Sequence, residues 1–146
     1  MNRIRPAQKR DAGRIAEIEV FNYRLFFYPI FRSDAFYFDE LQVSRMMQDD
    51  RIWTNAWVYD DGVVKGFVRI EGAEIRKLFV EPVLQGQGTG AALLEYAVHE
   101  KGARTLWALE KNTRAIRFYQ QHGFQLTAER RLEDDTDEYL IRLEHK

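Results

Sequence analysis

The stretch Gln85-Gly86-Gln87-Gly88-Thr89-Gly90-Ala91 puts glycine at three alternating positions just ahead of Ala92-Leu93-Leu94, which reads as the start of a helix. Glycines there permit tight backbone paths and keep side chains from standing between the main chain and a ligand. The amides around Gln87–Ala91 then enter a helix N-terminus, where up to four N–H groups lack partners and the dipole favours negative charge. A diphosphate suits such a place, with no lysine needed to neutralise it. Taken alone, alternating glycines describe a flexible loop capped by small residues equally well. Two other phosphate folds fit poorly. A dinucleotide loop would follow the first strand of its sheet, with an acidic residue about 20 positions on, and a Walker loop would end in Gly-Lys-Ser or Gly-Lys-Thr.

Other chemistries are poorly provided for. Cysteine is absent, so disulfides and thiolate nucleophiles are excluded. His99, His122 and His145 lie far apart with no H-E-x-x-H arrangement, so no metal site is expected. The formal charge of -1 and the lack of a basic stripe argue against a nucleic-acid partner. The N-terminal stretch Met1–Pro6 is polar, unlike a signal peptide. No apolar run approaches the roughly 20 residues of a membrane span, so no membrane partner is expected and cytoplasmic residence is the default. A length of 146 residues matches one domain, taken here as 1–146.

The elements that must position the glycine loop follow from periodicity. Arg3–Pro6 reads as a strand, and Asp11 as the N-cap of a helix carrying Ala12, Ile15, Ala16, Ile18 and Val20. Phe21–Phe38 holds nine of the twenty aromatic residues. Pro29 within it predicts two helical pieces joined by a bend, and a further helix is expected from about Phe38 to Met47. Three strands follow, near 52–59, 63–70 and 73–80, with turns at Asp60-Asp61-Gly62 and Glu71-Gly72. After the loop come a helix (about 88–101), a strand (105–109), a helix (113–122) stopped by Gly123, and two strands (124–129 and 139–143) joined by the acidic turn Glu133–Asp137. A meander leading into a strand–helix–strand unit predicts a mixed α/β (α+β) fold with helices on both faces of the sheet.

With these elements around it, Gln85-Gly86-Gln87-Gly88-Thr89-Gly90 resembles the Gln/Arg-x-x-Gly-x-Gly/Ala signature of the GCN5-related N-acetyltransferase (GNAT) family. A second family feature follows in the right order: Asn112, Ala115, Phe118-Tyr119 and Gly123-Phe124. The resemblance covers about Ala73 to Phe124 and implies a mostly antiparallel sheet of six or seven strands. It further implies transfer of an acetyl group from acetyl-coenzyme A to a primary amine of a small molecule or peptide, by direct attack through a tetrahedral intermediate. On this resemblance the backbone of Leu78, Phe79 and Val80 pairs with the pantetheine arm in a slot between two splayed strands. Gln85, Gly86, Gln87, Gly88, Thr89, Gly90 and Ala91 surround the pyrophosphate, and Asn112 bonds the arm. Tyr119 stands beside the thioester sulfur as general acid, and a strand amide, taken as that of Phe79, meets the oxyanion. Relatives often pair, which leaves room for a homodimer. The rival reading is a catalytically silent acyl-CoA-binding or regulatory module.

The base and the acceptor are less constrained. Glu74 stands eleven residues before Gln85, the spacing and Ala-Glu-Ile context of the general base in the histone-acetyltransferase branch. An exposed glutamate at a hairpin end is the bland alternative, Glu110 is a second candidate, and ordered water a third. N-terminal-alanine acetyltransferases carry a glutamate five residues before the motif asparagine, where this chain has Trp107. Phe26, Phe27, Tyr28 and Phe31 lie where relatives roof the acceptor slot, so an aromatic-walled amine pocket is expected, against core packing as the alternative. Arg24 and Arg32 offer partners for an acceptor carboxylate.

Overall fold

Alternating apolar and polar residues in mid-chain build an antiparallel meander of β2 (Ala56–Asp60), β3 (Val64–Glu71) and β4 (Glu74–Val80). In this computed structural model, which describes residues 3–146, β1 (Ile4–Pro6) borders the meander on one side. On the other side β5 (Thr105–Leu109), β6 (Phe124–Leu132) and β7 (Tyr139–His145) complete a seven-stranded sheet in the order β1-β2-β3-β4-β5-β7-β6. The β4–β5 pair is parallel and its neighbours β3–β4 and β5–β7 are antiparallel.

The two faces of the sheet are filled by different helices. Val58 and Phe67 pack on Ile15, Ala16 and Ile18 of α1 (Ala12–Asn22). The aromatic segment continues α1 through α2 (Tyr28–Phe31) to α3 (Val43–Met46). On the opposite face Val68, Ile70 and Ile75 meet Leu93, Leu94, Ala97 and Val98 of α4 (Thr89–Lys101), with Tyr119 of α5 (Thr113–Gln121), Phe124 and Leu143. Each fully buried Leu or Val contributes roughly 1.5–3 kcal/mol of transfer free energy, so these two cores hold the helices to the sheet.

Several local expectations are corrected. Asp11 does precede α1, but its carboxylate turns back to the Gln8 N–H (2.8 Å) and to Arg5, so it caps the preceding 3-10 turn instead. The bend does not fall at Pro29. Tyr23–Phe27 forms a π-turn in which the Tyr28 N–H bonds Tyr23 C=O, a wider winding that absorbs the missing proline donor. The break comes at Arg32, which is left-handed with φ 56°. In place of one helix over 38–47 there is a second π-turn, Ala35–Glu40, and extended backbone at Leu41, whose side chain is buried with Val20 and Tyr37 before α3 starts. Residues 50–52 form a 3-10 turn and Asn55 is left-handed (φ 55°), so the second strand begins at Ala56 rather than Ile52.

The feature that matters most for the site is a bulge in β4. Arg69 pairs with Lys77 while Ile70 pairs with Ile75, leaving Arg76 as an extra residue. One added residue exchanges the faces of everything beyond it. Ile75 and Leu78 therefore pack toward α4 and α5, while Lys77 and Phe79 turn toward α1. Just past the bulge, β4 and β5 part. Their ladder consists of Glu74↔Thr105 and Ile75↔Leu106, although the strands run on to Val80 and Leu109.

Gly66, opposite Val80, lets β3 and α4 close around this split. A Cβ at that position would stand 2.8 Å from the Phe79 carbonyl oxygen and 3.1 Å from Leu93 Cδ1. Gly66→Ala is expected to lower stability by roughly 1–3 kcal/mol, the usual penalty for overpacking, measured by urea unfolding. Wild-type stability in that variant would show that the strand has slack there.

Candidate active site

The parting of β4 from β5 opens a cleft of about 320 Å³. Leu78, Phe79 and Val80 form one wall; Gln85, Gly86, Gly88, Thr89, Gly90 and Ala91 form its floor at the start of α4. Asn112, Ala115, Phe118 and Tyr119 close it from α5.

The floor is a row of donors. Gly86 and Gly88 are left-handed (φ 83° and 87°), and a Cβ on either would meet nothing within 4 Å. The first backbone amide of α4 with a partner is that of Ala92, which bonds Gly88 C=O at 3.0 Å; among the described residues none of the amides of 86–91 donates to a backbone carbonyl outside its own element. Such an unpartnered row at a helix start, bordering a cleft, fits an anion. Among the lining residues Arg114 is the one charged side chain.

The wall turns its backbone to the cleft at alternate residues. The Glu81 N–H bonds Lys65 C=O at 2.8 Å, and residues two apart on an antiparallel strand turn the same way. Phe79 therefore bonds toward β3, and Leu78 and Val80 turn their backbones to the split. This corrects the choice of Phe79 as oxyanion donor: its amide is spent in the ladder with Phe67, and the amides on offer are those of Leu78 and Val80.

Tyr119 is buried between Phe118 (5.3 Å between ring centres) and Phe124 (5.8 Å), and it lines the cleft. Burial pushes its phenol above the ordinary value, so it is protonated at neutral pH. The Asn112 side-chain oxygen caps α5 through the Ala115 N–H at 3.3 Å, which leaves its NH2 group as a donor.

Several sequence-named residues are not brought to the cleft. Glu74 precedes the bulge and pairs with Arg76 at 3.2 Å, outside the lining. Glu110 pairs with Arg130 at 2.7 Å at the surface. Gln87 is exposed and lies outside the lining. Of the four aromatics, Phe26 and Phe27 line the cleft. Tyr28 turns away to Tyr37, Phe38 and Asp34, and Phe31 packs with the cluster around Val20, because the π-turn rotates the residues after it. Arg24 is taken up by the Tyr37 carbonyl at 3.0 Å and Arg32 by that of Pro29 at 3.3 Å.

A strap of hydrogen bonds joins three residues of the cleft lining. Asn22 Nδ2 donates to Val80 C=O at 2.9 Å, and Gln85 Nε2 donates to the same carbonyl (3.0 Å) and to Asn22 Oδ1 (3.2 Å). Arg114 then donates to Gln85 Oε1 and stacks on the Phe26 ring at 4.2 Å. The one available signal was Asn22 itself, a polar residue in the buried register of α1.

Residues 52–126 match the family model described as "Acetyltransferase (GNAT) domain". The peptidyl-lysine N-acetyltransferase YjaB of Salmonella typhimurium is 32% identical over 92 residues, a match spanning 63% of this chain and 62% of that relative. The solution structure of apo YjaB from Escherichia coli superposes with a TM-score of 0.78 at 23% identity, covering 97% of this chain and 95% of that one. The PaiA N-acetyltransferase of Thermoplasma acidophilum, solved in complex with coenzyme A, gives 0.68 at 17% identity over 95% and 96% of the two chains. The seven-stranded sheet thus has the fold of these enzymes. No helix among the described residues is long and apolar enough to cross a membrane.

Proposed function

The chain belongs to the GNAT acetyltransferase family, and on that premise we propose that residues 1–146 act as one domain carrying an acetyl group from acetyl-coenzyme A to a primary amine. A lysine side chain in a peptide or protein is the acceptor class that the name of the Salmonella relative favours. The observation that carries the reading is the row of amides at residues 86–91 without backbone partners, beside a cleft that Tyr119 also lines.

Those amides hold the donor's diphosphate, and the backbone of Leu78 and Val80 aligns the arm along the split. As the amine nitrogen attacks the thioester carbon, the carbonyl oxygen gains charge and takes a hydrogen bond from the Leu78 or Val80 amide. The carbon–sulfur bond breaks, and Tyr119 gives the leaving thiolate its proton. The ammonium loses one proton to water before attack, since Glu74 and Glu110 are held in ion pairs outside the lining, and the second N–H proton, shed as the amide forms, passes through water to restore the Tyr119 phenol.

Thiol release from acetyl-coenzyme A across a panel of amines and lysine peptides tests the whole reading; saturable donor binding with no release from any acceptor would mark a silent module. A pH profile tests the acid. Because burial raises the Tyr119 phenol, its proton is retained as pH rises to about 10, the ordinary tyrosine value. No alkaline fall in kcat is expected below that pH. A fall near pH 8 that disappears in Tyr119→Phe would keep Tyr119 as the acid and contradict the upward push of burial on its phenol.

A further inference from the structure

A buried carboxylate on α1 faces β4, and the reaction above leaves it unused. Glu19, one turn before Tyr23 on α1, has 2% of its side chain exposed, and its Oε2 accepts from Lys77 Nζ at 2.9 Å. Glutamate is rarely buried so deeply unless paired. Its partner here stands on a flexible four-carbon stem that is 30% exposed, so the ammonium position can be reached from solvent. The same ammonium lies 5.7 Å from the centre of the Tyr23 ring. Tyr23 in turn packs edge-on against Phe27 (4.9 Å) and Phe79 (5.4 Å), which both line the cleft. A carboxylate beside an aromatic face is the combination that holds a primary ammonium.

The bulge at Arg76 decides which side of the split this pair occupies. Lys77 and Phe79 point toward α1, while the floor of amides belongs to α4 on the opposite face. On β5, Leu106 and Ala108 pack toward α4, so Trp107 between them turns to the α1 side as well. An amine arriving from that side therefore reaches Glu19 and the parted strands without crossing the donor's path. Arg69, opposite Lys77 in the ladder, is taken by Glu71 at 2.8 Å and does not compete.

Resting on the acetyl-transfer reading, we propose that Glu19 is the seat for the acceptor's ammonium, walled by Tyr23, and that Lys77 fills the seat until an acceptor displaces it. The ligand class is an unbranched primary alkylammonium, as on a lysine side chain. Lys77 acts as a tethered competitor and sets how tightly the acceptor binds.

Calorimetry with Nα-acetyl-lysine amide as the probe separates the roles. Lys77→Met is expected to bind it at least tenfold more tightly than wild type, and the charge-neutral Glu19→Gln/Lys77→Met protein to lose that gain. Thermal melts establish that each variant is folded. Equal affinity in the single and double variants would overturn the seat, and no gain in Lys77→Met would overturn Lys77 as its occupant. Should Lys77→Met not fold, Glu19→Gln provides the readout: the amine KM rises at least tenfold while the acetyl-coenzyme A KM stays at its wild-type value. Turnover of lysine peptides with an unchanged amine KM in Glu19→Gln removes the seat and leaves acetyl transfer standing. The calorimetric difference without turnover of any amine has the opposite meaning.

Discussion

Replacing Tyr119 by Phe should lower kcat by about 10²–10⁴-fold, the range for losing a positioned general acid, while coenzyme A binds as in wild type. The substitution removes one hydroxyl and keeps the ring that packs between Phe118 and Phe124, so the fold has no reason to change. The hydroxyl belongs to a phenol that burial keeps protonated, and it lines the cleft from α5, a different helix from the one the glycine loop opens. Donor binding and proton delivery are thus carried by separate elements, which is why the two parameters should separate. Steady-state kinetics paired with calorimetry provide the check, and an unchanged kcat would remove Tyr119 from the acid role.

Substituting Gly88 by Val should cost the opposite parameter. Gly88 sits at φ 87° as the residue that opens α4, and an L side chain there is strained by about 1–2 kcal/mol whatever the room around it. A Cβ would meet nothing within 4 Å, so the substitution spares the core and acts on the loop's path and on the space before its amides. Since 1.4 kcal/mol is a factor of ten, coenzyme A affinity should fall by at least about tenfold. Wild-type protein should gain roughly 2.7 kcal/mol of apparent stability at a hundred times the dissociation constant, and the variant much less at the same concentration. Native affinity in folded Gly88→Val would sink the loop assignment.

These two positions differ from the rest of the site in how far the chain announces them. A glycine that must be left-handed ahead of a helix, or an Asn-x-x-Ala-x-x-Phe-Tyr run on an amphipathic helix, is a local pattern. The chain folds locally as read: α4 and α5 begin within a residue of expectation. The bulge at Arg76 leaves no such trace. Ile75-Arg76-Lys77-Leu78-Phe79 alternates no better with the extra residue than without it, and the face of each side chain was therefore open. That one undetermined step sets which of the Leu78, Phe79 and Val80 amides turn toward β3, and it brings Lys77 to Glu19. The strap is illegible for another reason: Asn22, Gln85 and Arg114 meet across spans of 63 and 29 residues, and such contacts exist only after the sheet has formed. The aromatic segment lies between these extremes, since its composition is plain but its π-turns rotate Tyr28 and Phe31 off the expected side.

The two borders of the sheet govern how copies of this protein can meet. β1 contributes three residues and ends in Pro6, while β6 slips register between Leu126 and Arg130 and bears Glu129, Arg130 and Arg131. Neither rim offers a straight row of unspent amides and carbonyls onto which another strand could zip. Lateral growth into ribbons is thereby discouraged at both ends, even at high concentration.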